Sequence, residues 1–149
     1  AAGVALQTPD LVASLTLMEP AMTLHRIRLA YFGGLLASFV RKSPQRWNFL
    51  FERPAPEELI ALADASRTFR PAAPLPTLFS DDELARLAMP LQVILAGRST
   101  TSNPDRVRDR LSIHHRDAPV HVIPTAGHMV SVDAPVDVNR LLADWLRTV

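Results

Sequence analysis

The decapeptide Val120-His121-Val122-Ile123-Pro124-Thr125-Ala126-Gly127-His128-Met129 holds the residues best arranged for chemistry. A short β-type run stops at Pro124, the chain turns through Ala126-Gly127, and a histidine is delivered to the end of a strand. A helix is expected next, with Pro135 near its first turn and Val138, Leu141, Leu142 and Trp145 on one face. This layout suits a general base at His128. The strand end fixes the ring, Gly127 removes side-chain bulk beside it, and the loop admits solvent and substrate. The second candidate is Glu19, which with Pro20 closes the nearly continuous apolar run over residues 11–18. Such a run reads as a strand of a parallel sheet covered on both faces. Ligands bind at the carboxyl ends of such strands, where Glu19 would stand.

Other polar residues have structural readings. Asp105 falls in the first turn of a helix that Asn103 caps and Pro104 opens, where the helix dipole alone accounts for a carboxylate. Asp133, just before Pro135, is placed to serve the N-terminus of the last helix. His114-His115 have no acidic or cysteine partner at ligand spacing, so no metal site is expected there. The chain contains no cysteine, which removes thiolate ligands and a cysteine nucleophile. Tyr31 shares a helical apolar stripe with Leu24, Ile27, Leu35 and Phe39 and reads as core.

The elements that must position His128 and Glu19 follow from the pattern. Strands are expected over residues 11–18, 91–96 and 120–123, parallel and flanked by helices, which makes the fold class α/β. Residues 1–7 read as the second half of a small-residue helix. Between the first two strands the strand signal vanishes. Helices are expected over residues 24–40 and 56–69, a stiff loop over 71–76, and a short helix opened by the capping-box spacing Ser80-Asp81-Asp82-Glu83. That is too long for a simple βα connection and implies a helical lid over residues 21–89, inserted between core segments 1–20 and 90–149. With 149 residues and 48% hydrophobic content, the chain can bury an ordinary core. A formal charge of +1 without a basic run gives no electrostatic reason to expect nucleic acid as a partner. No apolar run reaches the length of a membrane span.

Three phrases, in this order and spacing, carry a family resemblance: TPDLVASLTLMEP, SDDELARLAMPLQVILAG and VIPTAGHMVSVDAPVDVNRLLADWL. The chain resembles the C-terminal half of an α/β-hydrolase. It has the helix after the nucleophile elbow, the sixth strand, a helical cap, the seventh strand and its helix, and the eighth strand with the histidine turn. The resemblance covers essentially all 149 residues, the cap being its least specific part. It implies that His128 is the base of a catalytic triad. The family's nucleophile lies in a Gly-x-Ser-x-Gly turn just before the first helix, and no such sequence occurs here. The oxyanion-hole amides belong to that turn and to an earlier loop. The implied partner is therefore the N-terminal half of the fold, without which the 149 residues are expected to be silent.

The family's usual acid position, after the seventh strand, here reads Gly97-Arg98-Ser99-Thr100, and Thr100 cannot carry the charge that steadies an imidazolium. Some relatives, haloalkane dehalogenases among them, place the acid after the sixth strand, which is Glu19 in this sequence. The resemblance thus implies a hydrolase of ester, thioester or related acyl bonds. Its substrate would be a small apolar or acyl-type molecule, and no cofactor is expected. By the same resemblance, Tyr31 is the candidate for the lid tyrosine that donates a hydrogen bond to substrate in epoxide hydrolases. The alternatives are a dehalogenase or epoxide hydrolase with an aspartate nucleophile, and a non-catalytic binding protein that has lost its acid.

Overall fold

In the computed structural model, residues 2–20, 23–26, 28–40, 50–52, 54, 56–65 and 77–149 are described. Their centre is strand β2 (Leu91–Ala96), in which all six residues are buried. It lies between β1 (Leu15–Met18) and β3 (Val120–Ile123), and both pairings are parallel. Leu15 pairs with Leu91 and Met18 with Ile94, while Val93 pairs with Val120 and Ala96 with Ile123. Strand alternation sends Leu91, Val93 and Leu95 to one face. There they meet Leu15 and Leu17 of β1, Ala2 and Ala5 of helix α1 (Ala2–Gln7), and Val107 and Leu111 of another helix, Pro104–His114. Ile94 and Ala96 point to the other face, against Ile123, Ala126, Val130 and Val138. Burying each large aliphatic side chain contributes about 1.5–3 kcal/mol. A strand covered on both faces must be apolar throughout, which is why β2 shows no alternation in sequence. The exception, Gln92, is buried but donates from Nε2 to Thr16 Oγ1 at 3.3 Å.

The first strand is shorter than its apolar run suggests. Residues 9–11 form a 3-10 turn rather than strand, and Leu11 is 83% exposed. Pro9 at the start of that turn has a φ suited to helical rather than extended backbone, and only from Leu15 does the chain meet β2. The helix expected over residues 24–40 begins at Leu29, giving α2 (Leu29–Val40). Leu24 and His25 precede it and are buried outside any helix. Helix α3 spans Glu57–Ala65 and α4 spans Asp81–Ala85. The Ser80 side chain accepts from the Glu83 amide, and the Glu83 carboxylate accepts from the Ser80 amide, so the capping box forms as its spacing predicts. Leu24, Leu84, Leu87 and Met89 join the core cluster of the sheet, so both ends of the long stretch between β1 and β2 pack into the core. The proline loop at 71–76, most of 41–53, and 66–69 lie outside the described residues.

Helix α5 (Pro104–His114) starts as read: Asn103 Oδ1 accepts from the amides of Asp105 and Arg106. The helix expected after the histidine turn is two helices, α6 (Val130–Asp133) and α7 (Pro135–Leu146). Pro135 pushes Ala134 out of the α region (φ −139°, ψ 59°), which breaks the run there. Among the described residues, no helix is long and apolar enough to cross a membrane.

Candidate active site

The carboxyl ends of the three strands bring Glu19, the loop over residues 97–103 and the histidine turn side by side. Gly97 permits this. A Cβ there would lie 2.8 Å from Pro124 Cα and 2.9 Å from its carbonyl oxygen, so only glycine lets the chain leaving β2 pass the chain leaving β3. Gly97 N–H donates to Ile123 O at 2.8 Å and Arg98 N–H to Ala126 O at 3.0 Å, fastening the two loops together.

Glu19 follows β1 with φ 44°, the one non-glycine residue with positive φ among those described. The left-handed conformation costs an L-residue roughly 1–2 kcal/mol, and such strain persists only where its surroundings over-determine it. Here they do. The Glu19 amide donates to Ile94 O at 2.9 Å, and its buried carboxylate has four donors. Oε1 accepts from Ala96 N–H at 2.7 Å. Oε2 accepts from Ser99 Oγ at 2.5 Å, Thr101 Oγ1 at 3.3 Å and His128 Nδ1 at 3.0 Å.

His128 Nδ1 also lies 2.7 Å from Thr101 Oγ1. A carboxylate only accepts, so Nδ1 carries the proton and shares it between Glu19 and Thr101. The hydroxyl proton of Thr101 then points to Glu19, because Ser99 Oγ already accepts two amides. This assignment leaves Nε2 as an acceptor, and no described residue hydrogen-bonds it. The His128 side chain is 22% exposed and that of Glu19 only 3%. The ring is therefore held on its buried side and open on the other, as a base needs.

Sequence reasoning missed part of this cluster. The sequence drew attention to Thr100, but the hydroxyl that reaches His128 Nδ1 is that of Thr101. Ser99 Oγ accepts the amides of Thr101 and Ser102 at 3.1 and 2.9 Å while donating to Glu19. The signal available was a run of four hydroxyl residues, Ser99 to Ser102, at the carboxyl end of a strand beside Glu19. Arg28 and His25 were also missed. Arg28 N–H donates to Thr101 O at 3.2 Å, and its Nη1 donates to Ser99 O at 3.0 Å. His25 Nδ1 lies 2.6 Å from Arg26 O, and Nε2 accepts from Asn103 N–H at 3.2 Å. The loop carrying Ser99 and Thr101 is thus braced from residues that precede α2.

The remaining candidates stand elsewhere. Asp105 is an exposed first-turn residue of α5, 3.7 Å from Arg108. His115 Nε2 contacts Leu84 O at 2.7 Å, and His114 Nε2 is 3.8 Å from Asp81. No cluster able to hold a metal ion occurs among the described residues. Tyr31 is half-buried, with its ring edge-on to Phe32 at 5.8 Å between centroids. Asp133 is structural but not as a helix cap. Its Oδ2 accepts the amides of Gly127 at 2.8 Å and Glu52 at 3.1 Å, because Ala134 rather than Asp133 occupies the cap of α7. Cavities of about 460 and 470 Å³ lie at the amino ends of β2 and β3 and along β3 and α7, and neither is lined by Glu19 or His128.

A parallel sheet with helices on both faces is the arrangement of the α/β-hydrolase fold, and solved structures agree. Naproxen esterase (carboxylesterase NP) from Bacillus subtilis superposes with a TM-score of 0.82 at 19% identity, over 97% of this chain and 55% of that one. A meta-cleavage product hydrolase from Pseudomonas fluorescens IP01 gives 0.72 at 18% identity, over 99% and 60%. The 2-hydroxy-6-oxo-6-phenylhexa-2,4-dienoate hydrolase of Rhodococcus sp. gives 0.72 at 14%, over 97% and 59%. The chain has the α/β-hydrolase fold and corresponds to its C-terminal half, spanning about 55–60% of the length of these structures. No family model matches the sequence, nor does any curated protein.

Proposed function

We propose that the complete protein is a hydrolase of ester or related acyl bonds, with His128 as general base and Glu19 as the acid that orients it. The supporting observation is the 3.0 Å contact between His128 Nδ1 and Glu19 Oε2, made by a buried carboxylate that is itself fixed by Ala96 and Ser99. A serine on a segment preceding Ala1 supplies the nucleophile in this reading, with the oxyanion-hole amides. His128 Nε2 takes the serine proton as the oxygen attacks the acyl carbon. The resulting imidazolium holds its Nδ1 proton on Glu19 and Thr101, and Nε2 returns the other proton to the leaving group. Residues 21–89 serve as a lid over the carboxyl ends. The exposed Leu29, Phe32 and Leu36 of α2 fit a small apolar or acyl-type substrate.

The test is Glu19→Gln in the complete protein, assayed on short and medium-chain p-nitrophenyl esters. Loss of an orienting acid lowers turnover by about 10⁴-fold. Turnover within about tenfold of wild type, equivalent to roughly 1.4 kcal/mol, would reject Glu19 as the acid.

A further inference from the structure

The base reading leaves a second buried carboxylate beside the histidine unused. Asp133 is 6% exposed and lies five residues beyond His128, yet its hydrogen bonds go to backbone amides and not to the ring. Its Oδ2 is shared by two backbone donors, Gly127 N–H immediately before the histidine and Glu52 N–H from the stretch between β1 and β2. Met129 N–H, immediately after the histidine, donates to Leu50 O at 3.1 Å. The backbone on each side of His128 is therefore tied to residues 50–52, once through Asp133 and once directly. Arg98 adds an ion pair to Glu52 at 2.9 Å, and Arg98 N–H holds Ala126 O.

Gly127 shows how close this approach is. A Cβ at residue 127 would meet Asp133 Oδ2 at 3.0 Å, Glu52 N at 3.1 Å and Leu50 O at 3.1 Å. Its φ is not in the left-handed region, so what favours glycine here is close space rather than conformation. The bulk removed at Gly127 makes room for residues 50–52 and the Asp133 carboxylate.

We propose that Asp133 is a positioning residue for His128, clamping the histidine turn to residues 50–52 so that ring placement depends on that segment. The proposal rests on His128 being the base. Glu19 fixes the rotation of the ring and the position of its proton; Asp133 fixes the backbone from which the ring projects. A small displacement of a reacting group is enough to cost about 10²-fold in rate. The clamp needs an acceptor oxygen and not a charge, since both partners are neutral amides.

The experiment uses the complete protein, including the upstream segment proposed above, with four variants. Asp133→Ala should lower kcat about 10- to 100-fold at nearly constant KM. Asp133→Asn keeps an acceptor oxygen and should restore kcat to within about fivefold of wild type, less than the roughly 10-fold equivalent to 1.4 kcal/mol. The downfield Nδ1 proton resonance of His128 should broaden or move in Asp133→Ala and return in Asp133→Asn, a response that general loss of stability would not give. Should Asp133→Ala fail to fold, Glu52→Pro removes the second donor, together with the Glu52–Arg98 ion pair, and should lower kcat severalfold with KM held. A folded Asp133→Ala or Glu52→Pro protein with wild-type kcat and an unmoved resonance would overturn the proposal. His128→Ala separates this from the underlying reading. If it keeps activity, the base assignment itself fails; if it is inactive while Asp133→Ala retains wild-type kcat, only the clamp fails.

Discussion

Two carboxylates flank the histidine turn, each 6% exposed, and they grip different things. Glu19 spends its acceptor capacity on one amide, two hydroxyls and the imidazole. Asp133 spends one oxygen on two backbone amides and none on a side chain. The first arrangement suits a group whose charge matters to a proton on the ring. The second suits a group that sets where a loop lies. Both are buried acids near a histidine, and only their partners separate a catalytic reading from a positional one.

Substitutions that remove one grip at a time sharpen the contrast. The largest effect is expected at Glu19. Glu19→Gln should slow ester hydrolysis by about 10⁴-fold, measured as kcat at saturating ester. It should also lower stability, because Oε2 receives three donors and an amide NH₂ in its place would face them. Leaving buried donors unmatched costs about 1–3 kcal/mol, to be read from denaturant melts. Sequence alone suggests a rate effect with little change in folding; the burial of the group adds the second effect.

Asp133→Ala comes next, with the 10- to 100-fold loss in kcat argued above. Ser99→Ala should follow. It removes a donor from Glu19 and the acceptor of two amides, so melts should show a loss of about 1–3 kcal/mol, with turnover reduced but KM steady. Thr101→Val keeps the shape and removes one hydroxyl contact to His128 Nδ1, so kcat should fall by a few-fold, the equivalent of about 0.5–1.5 kcal/mol. Thr100→Ala should slow turnover less than Thr101→Val, because it is the Thr101 hydroxyl that lies 2.7 Å from His128 Nδ1. An effect at Thr100 exceeding that at Thr101 would contradict the observed geometry.

The two strands read best in sequence, 91–96 and 120–123, are observed with the same limits. They are short, apolar and bounded by Pro90, Gly97, Pro119 and Pro124, so pattern and punctuation agree. The first strand begins at Leu15 rather than residue 11, because a continuous apolar run does not reveal which residues have a neighbour to pair with. The pairing of Glu19 with His128 could be anticipated, since both close a strand at the same rim of a parallel sheet. Thr101 could not be told from Thr100, because in a loop no periodicity tells which side chain faces the ring. The role of Asp133 was hidden for a different reason. Its partner Glu52 is 81 positions away and meets it through a backbone amide, which carries no sequence signal.

The most direct test is a double-mutant cycle on the rate of ester hydrolysis by the complete protein, using Glu19→Gln, His128→Ala and the pair together. If Glu19 acts through the ring, its removal should cost almost nothing once His128 is gone, and the double variant should match His128→Ala within about twofold, a spread of roughly 0.3–0.5 kcal/mol. If the two losses instead multiply, each residue contributes separately, and Glu19 is not the acid of a His128 triad.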